Sequence, residues 1–587
     1  MFENNKSYGT GWYFAINCFA YIPIACDYAM RLIMQEKISQ AVLTFTALVV
    51  CVLMFVMARN TKTALKYFGT ESDSYAMAKK NLGAFPATAA AAGAIADYVL
   101  TTVIMAIYFA YIFESFFASL DIKNTVGVSI CLLVAAALMN YGKIKIPALI
   151  IRIFTLLFGV YFVSVIFALV SKILTGGAGV HFVFDVTSHP VKSDPLLGLF
   201  VIIKLFSFLS VGIIGFDPMR YRKAYENSSF ENVRGIYRVC LCVIFMMCSV
   251  LFLTQNFSIT PDYYRNSFFQ LANLGTEKSI MGVISQYFTL GIMFLCTYYT
   301  FAALPEFAQE LAKDGFFPTM FKNNRDEIMF AFAVFITLII FCAVIILAKG
   351  NLALLLGIYA IGAFLSLGIG QFALAKSAEK TKDKIFAYAG AFSCFVLMSA
   401  FAAARIKQGS VYMLLLVVIF AFAMMGVRAY YEKVNQNLTL DRNRSEKVTN
   451  TRNSSVVILT DFDRGVIPAV RYAKAIASDC RAIFVAGTDT DRQALFGDWE
   501  YFFPDVPLIV LDNSKNNNVI KPILNYIRYS TQAVSVGIMT VVIPEYIPKS
   551  PFYMVFHRNY AFLLRLILGF KKGIITASVP YWTEDEK

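Results

Sequence analysis

Asp97 stands inside a run of small and apolar residues, with Tyr98 beside it and Thr101 four positions on. A charge at the centre of a membrane-spanning helix costs roughly 2.5–3.5 kcal/mol on insertion scales, so such groups are rare and face cavities, ions or partner charges. The four-residue spacing puts the Asp97 carboxylate and the Thr101 hydroxyl on one helix face. Oxygen atoms gathered that way suit a cation or a proton path. The competing reading is a structural carboxylate tied to a neighbouring helix.

The elements that must position these groups are membrane helices. Of 587 residues 58% are hydrophobic, more than a soluble chain of this length needs. Spans require about 20 apolar residues each. By that rule twelve are expected, near 11–34, 41–58, 83–113, 125–141, 148–173, 197–216, 236–255, 279–303, 329–348, 352–374, 385–405 and 410–430. An even count places both termini on one side. The loops at 59–82, 142–147, 217–238, 304–328 and 375–384 carry about nineteen Lys and Arg, against about ten in the opposite set. Both termini are therefore expected in the cytoplasm, with the chain in the plasma membrane. The first span lacks a cleavage site, so no cleaved leader is expected.

The net charge of +14 is largely this loop asymmetry and does not point to nucleic acid. The run Arg220, Tyr221, Arg222, Lys223 reads first as a topology signal and second as a contact with anionic lipid. The eleven Cys lie mostly inside spans without metal-ligand spacing, and the three His are too scattered for a metal site. No nucleophile–base pair, metal cluster or phosphate loop occurs, so neither an enzyme nor a bound cofactor is expected.

The character of the chain changes after Tyr431. Residues 432–453 are polar and charged and read as a linker between a membrane part, 1–431, and a soluble part, 454–587. In the soluble part, short apolar runs at 455–459, 482–486, 508–511, 537–543 and 574–578 alternate with amphipathic stretches at 467–478, 489–501, 519–530 and 552–570. Strict alternation predicts a parallel sheet covered on both faces. Such sheets bind ligands at the carboxyl ends of their strands. The turn at 460–465 (TDFDRG) is the nearest candidate loop, although a plain turn or N-cap accounts for it better.

Several strings resemble one transporter family. The string YAMAKKNLG at 75–83 is similar to the segment before the third helix of APC-superfamily transporters, and ADYVLT at 96–101 resembles their helix 3. LGIYAIGAF at 356–364 resembles helix 10, and ALPEFAQELAKDG at 303–315 the loop after helix 8. AFLLR at 561–565 and SVPY at 578–581 resemble the soluble domain of the KimA-type, KUP-related potassium importers. The resemblance implies an α-helical membrane protein with a LeuT-like 5+5 inverted repeat and helices 1 and 6 broken. It further implies a cytoplasmic, universal-stress-like α/β domain that pairs two protomers into a homodimer and senses a cyclic dinucleotide.

Carried over residue by residue, the resemblance implies ion-site oxygens at Asp97, Tyr98, Thr101 and Tyr359. Aligning Lys204–Ser207 with the family's Lys-Ala-Phe-Ser places the family's helix 6 glutamate on Asp217. Counting by chain distance puts Asn17 near the family's helix 1 aspartate, with Asp27 a second candidate toward the outer mouth. There are departures: Ile214 replaces a threonine, Met105 a frequent serine, and the basic Arg220–Arg222 the flexible Ser-Asn-Gly of helix 6. The expected function is secondary active, proton-coupled potassium uptake. Two alternatives stand beside it: an amino-acid or other solute permease of the same fold, and a divergent sensor that no longer transports. Against the first, residues 14–25 contain no glycine to hold a substrate carboxylate.

Overall fold

The computed structural model describes residues 10–36, 40–116, 124–144, 146–175, 233–257, 267–276, 279–322, 327–404 and 409–438, then 452–459, 462–486, 489–512, 520–533, 537–547, 560–571 and 573–582, with single positions or short pieces at 38, 201–203, 205–206, 209, 259 and 406. Two compact units divide between Thr439 and Leu440.

The first unit is helical throughout its described length. Its elements are α1 (Thr10–Glu36), α2 (Gln40–Phe68), the short α3 (Ser74–Asn81), α4 (Ala84–Phe116), α5 (Thr125–Tyr141), α6 (Ala148–Leu174), α7 (Val233–Asn256), the short α8 (Ser267–Thr276), α9 (Ser279–Lys313), α10 (Glu327–Ala348), α11 (Leu352–Ser377), α12 (Thr381–Ala404) and α13 (Ser410–Leu438). Among the described residues, nine helices are long and apolar enough to cross a membrane, and α5 is a shorter apolar helix. The span expected at 197–216 falls mostly outside the described residues.

Local chemistry sets several helix ends. Asp73 caps α3 by accepting from the Ala76 N–H, and Asn124 and Asn351 do the same for α5 and α11 through Gly127 and Leu354. These side chains satisfy donors that the first turn leaves unpaired. Gly83 (φ 95°) and Gly350 (φ 67°) turn the chain into and out of helices in a conformation that L side chains seldom adopt.

Burial separates the inner helices from the outer ones. Nearly all of α4 is buried, and α11 is close behind, whereas α6, α10 and α13 expose most of their apolar surface. On α6 the exposed residues include Leu149, Ile153, Leu156, Val160, Val163 and Phe167, a lipid-facing stripe. A helix that is apolar all round belongs at the centre of a bundle, and α4 is that helix. It packs on α11, α9, α13, α3 and α5. Small residues permit the close approach to α11: a Cβ on Gly93 would lie 2.6 Å from the Gly362 carbonyl oxygen.

One expectation needs correction. The resemblance implies that helix 1 is broken, yet α1 runs without interruption with Pro23 inside it. Proline forfeits one intrahelical hydrogen bond, but its φ is compatible with a helix. The chain can therefore stay helical at the cost of one bond. The expected break in helix 6 lies outside the described residues.

The second unit is a five-stranded parallel sheet of order β3-β2-β1-β4-β5. Its elements are β1 (Arg452–Leu459), α14 (Val466–Ile476), β2 (Asp479–Ala486), α15 (Asp489–Phe502), β3 (Leu508–Asp512), α16 (Ile520–Ala533), β4 (Gly537–Tyr546), α17 (Tyr560–Leu568) and β5 (Ile574–Tyr581). Alternate residues of β1 serve two cores. Val457 and Leu459 pack with Val466, Val470 and Trp499, while Val456 and Ile458 pack with Ile523, Ile527, Leu564 and Leu568. That is the two-face burial expected of a parallel sheet.

Candidate functional site

The centre of the helical unit holds a chain of hydroxyls that ends on a carboxylate. Asp97 and Thr101 lie on α4, Tyr21 on α1 and Tyr359 on α11. Thr101 Oγ1 donates to Asp97 Oδ1 at 3.0 Å, and Tyr21 Oη lies 2.8 Å from Thr101 Oγ1. Tyr359 Oη donates to Tyr21 Oη at 2.5 Å. Since Thr101 spends its proton on Asp97 and Tyr359 spends its own on Tyr21, Tyr21 donates to Thr101. Each hydroxyl thus points its proton toward Asp97. All four side chains are buried, Asp97 at 2% exposure and the others at none.

Such an array does two things chemically. Oxygen atoms that are already oriented can replace part of a cation's hydration shell. An ordered hydroxyl chain also gives a proton a route to or from the carboxylate.

The structure brings together three of the residues named from sequence, Asp97, Thr101 and Tyr359. It separates Tyr98, whose ring turns to α9 and meets Phe307 edge-on with centroids 5.6 Å apart. One residue along a helix is about 100° of rotation, which puts adjacent side chains on different neighbours. The side chain of Asn17 and all of Asp217 lie outside the described residues. Tyr21 joins the cluster without having been named from sequence. Its partners are 80 and 338 residues away, so only the tertiary arrangement shows it.

Two further polar centres flank this one. Asp27, 2% exposed, accepts from the Ser267 N–H at 2.8 Å, Ser267 Oγ at 2.6 Å and Tyr108 Oη at 2.8 Å. At the other end of α4, Asp314 accepts from Tyr75 Oη at 2.7 Å and pairs with Lys79 at 2.6 Å. Burial, then the Asp314 carboxylate, holds the Tyr75 phenol above its ordinary range, so Tyr75 remains a donor. A cavity of about 550 Å³ opens beside this pair, lined by Glu71, Lys80, Glu306, Glu310 and Lys313. The sequence strings at 75–83 and 303–315 thus fold onto each other.

In the soluble unit, the described part of the 460–465 turn is closed by its own side chain: the Gly465 N–H donates to Asp463 Oδ1 at 2.9 Å. Tyr581 Oη, from β5, donates to the other oxygen of Asp463. Glu545 at the end of β4 accepts from Ser578 Oγ and lies 3.9 Å from Arg565.

Residues 451–581 match the family described as the KimA potassium transporter C-terminal domain. Over 568 residues the chain is 22% identical to the potassium transporter KimA of Bacillus subtilis (strain 168), an alignment covering 94% of this chain and 91% of that protein. Among solved structures, a mutant of the Eremococcus coleocola manganese transporter is similar at 12% identity with a TM-score of 0.39. The same transporter in complex with an aromatic bis-isothiourea substituted compound gives the same values, and each covers 73% of this chain and 95% of its own.

A multi-pass helical unit with a buried polar centre, joined to a five-stranded parallel α/β unit, defines the chain as a membrane transport protein rather than an enzyme. It is similar to the potassium transporter KimA over nearly its whole length, and its soluble unit matches the C-terminal domain of that family.

Proposed function

We propose that the chain carries potassium into the cell, driven by protons, with Asp97 at the centre of its path. The observation that carries this reading is the hydroxyl chain from Tyr359 through Tyr21 and Thr101 onto Asp97. Potassium needs several oxygen ligands in place of its water, and a buried carboxylate supplies charge as well as an oxygen. The same carboxylate serves as a proton carrier when the cation leaves. The relationship to KimA-type potassium transporters supports the choice of ion.

In this reading Asp217 and Asn17 complete the ion path from helices 6 and 1, and Tyr98 stands at its margin. The helices form two LeuT-like inverted repeats of five with the last two spans outside them, and both termini are cytoplasmic. The soluble unit pairs two protomers and answers to a cyclic dinucleotide bound at the carboxyl ends of its strands, where a parallel sheet offers a crevice.

Rubidium uptake into proteoliposomes, with and without an imposed pH gradient, tests the proposal. Uptake that rises with the gradient is expected. Uptake indifferent to it would remove the proton coupling, and no rubidium uptake under either condition would remove potassium as the substrate.

A further inference from the structure

Asp27 lies six residues beyond Tyr21 on α1, and Tyr108 seven beyond Thr101 on α4. At 1.5 Å per residue, both steps are about 10 Å along the helix. The α1–α4 seam therefore carries two polar links in the same order, Tyr21 to Thr101 and then Asp27 to Tyr108. The first belongs to the proposed ion path. The second does not, and its carboxylate reaches a third element.

That element is α8, ten residues between α7 and α9. A helix so short has little stability alone and depends on its tertiary ties. Its apolar ties include Phe268, which packs on Phe162 at 5.1 Å and Phe158 at 6.0 Å, and the buried Leu271 and Ala272. At its first residue the polar tie is to Asp27, which receives both the backbone N–H and the hydroxyl of Ser267; its far end is tied separately, by Asn273 accepting from the Gly282 N–H and by the Leu274 carbonyl accepting from Lys172. The start of a helix leaves N–H groups without intrahelical partners, and here a carboxylate from another helix takes one. Asp27 thus holds α4 with one oxygen and α8 with the other. Arg31, one turn further along α1, places its guanidinium over the Tyr28 ring at 5.4 Å.

We infer that Asp27 is a positioning residue of the transport cycle, latching α8 to the α1–α4 seam through Ser267 and Tyr108. The inference rests on the transport reading, in which α1 and α4 must change their spacing around Asp97. A change at Tyr21–Thr101 is carried two turns along the same two helices to Asp27–Tyr108. There it strains the carboxylate that holds the start of α8, so the seam and that end of α8 release together. Beneath the latch is a narrow apolar gap whose lining includes Pro23, Cys26, Phe158, Met246, Ser267 and Phe268. Cys26 is fully buried there and becomes reachable only when α8 lifts.

Cys26 is therefore a built-in reporter. The experiment labels the full-length protein in proteoliposomes with a membrane-impermeant thiosulfonate and maps modification by mass at Cys26, with the buried Cys296 and Cys394 as controls. Asp27→Ala is expected to raise the Cys26 rate by about tenfold, and the milder Ser267→Ala severalfold, with both controls unchanged, as a local opening requires. In rubidium uptake, Asp27→Ala is expected to lower the maximal rate while leaving the half-saturating concentration within about twofold, the pattern of a group that contacts no ion. An unchanged Cys26 rate in a folded variant overturns the latch, as does an equal rise at all three cysteines, which would mark general loosening. Should Asp27→Ala not fold, Ser267→Ala decides alone by the same criterion. Absence of uptake by the wild type would refute the potassium reading and leave the labelling result to stand by itself.

Discussion

Tyr21 and Tyr359 stack with ring centroids 5.9 Å apart and planes 14° from parallel, and their hydroxyls are 2.5 Å apart. This contact joins α1 to α11 immediately beside Asp97. The stacked rings fix the separation of the two helices, and the hydroxyl contact fixes which oxygen faces Thr101. The polar centre is thus held by an aromatic pair as well as by hydrogen bonds.

The two tyrosines make different numbers of bonds in the chain, and their removal should differ accordingly. Within the hydroxyl chain that leads to Asp97, Tyr21→Phe removes both links, to Thr101 and to Tyr359, whereas Tyr359→Phe removes only the outer one. A buried bond broken by removing one partner costs about 1–3 kcal/mol. Thermal melting in detergent should rank Tyr21→Phe below Tyr359→Phe, and both below the wild type. The reverse order would contradict Tyr21 as the middle link of the hydroxyl chain.

Thr101 links Asp97 to the tyrosines through a single oxygen. Thr101→Val preserves shape and loses that oxygen, whereas Thr101→Ser keeps it. Rubidium uptake should fall at least about tenfold in the valine variant and much less in the serine variant, since only the first leaves the chain interrupted. Equal activity of the two would show that the hydroxyl is not used.

The approach of α4 to α11 leaves no room for a methyl at Gly93. Its Cβ would sit 2.6 Å from the Gly362 carbonyl oxygen and 3.2 Å from the Ser366 Cβ. At Gly362 the nearest atom is the Ala96 Cβ at 3.0 Å. Overpacking costs typically about 1–3 kcal/mol, so Gly93→Ala should lower the melting temperature, and by more than Gly362→Ala. Because Gly93 lies one turn before Asp97, uptake should fall with it. Wild-type stability and uptake in Gly93→Ala would mean that the two helices part easily.

Tyr75 adds a pH dependence at the alkaline end. Burial first and Asp314 second raise its pKa, so the folded chain holds the phenolic proton more tightly than the unfolded chain does. The stability this contributes is complete below the ordinary tyrosine range of about 10 and is lost as pH rises above it. Alkaline unfolding curves of Tyr75→Phe should be flatter than those of the wild type above that pH. Parallel curves would show that neither burial nor Asp314 raises the Tyr75 phenol in the folded chain.

What could be read from sequence depended on whether the signal was local. Asp97 stood out because a charge breaks an apolar run, and Thr101 because it follows at helical spacing. The helices followed from apolar length and the sheet from its alternation, so most described elements begin within a few residues of expectation, while α2, α9 and α13 run on past their expected ends into polar sequence that apolar length does not mark. Tyr21 was not legible: it is one aromatic among many in its span, and its role depends on partners brought in by folding. The short helix α8 was missed because ten residues in a loop give too little periodicity to separate it from irregular chain. Asp27 was noted as a charge near the outer mouth, but its partner Ser267 carries no sequence signal. The break expected in helix 1 came from the resemblance and from no local signal; α1 runs on through Pro23, a residue that can break a helix or sit within one.

The most direct test of the account compares rubidium uptake by the wild type and Asp97→Asn in proteoliposomes under an imposed pH gradient. The asparagine keeps the size and one acceptor oxygen of the aspartate and removes its charge. The account predicts gradient-driven uptake by the wild type and none by the variant, with both eluting as folded protein. Undiminished uptake by Asp97→Asn would contradict it.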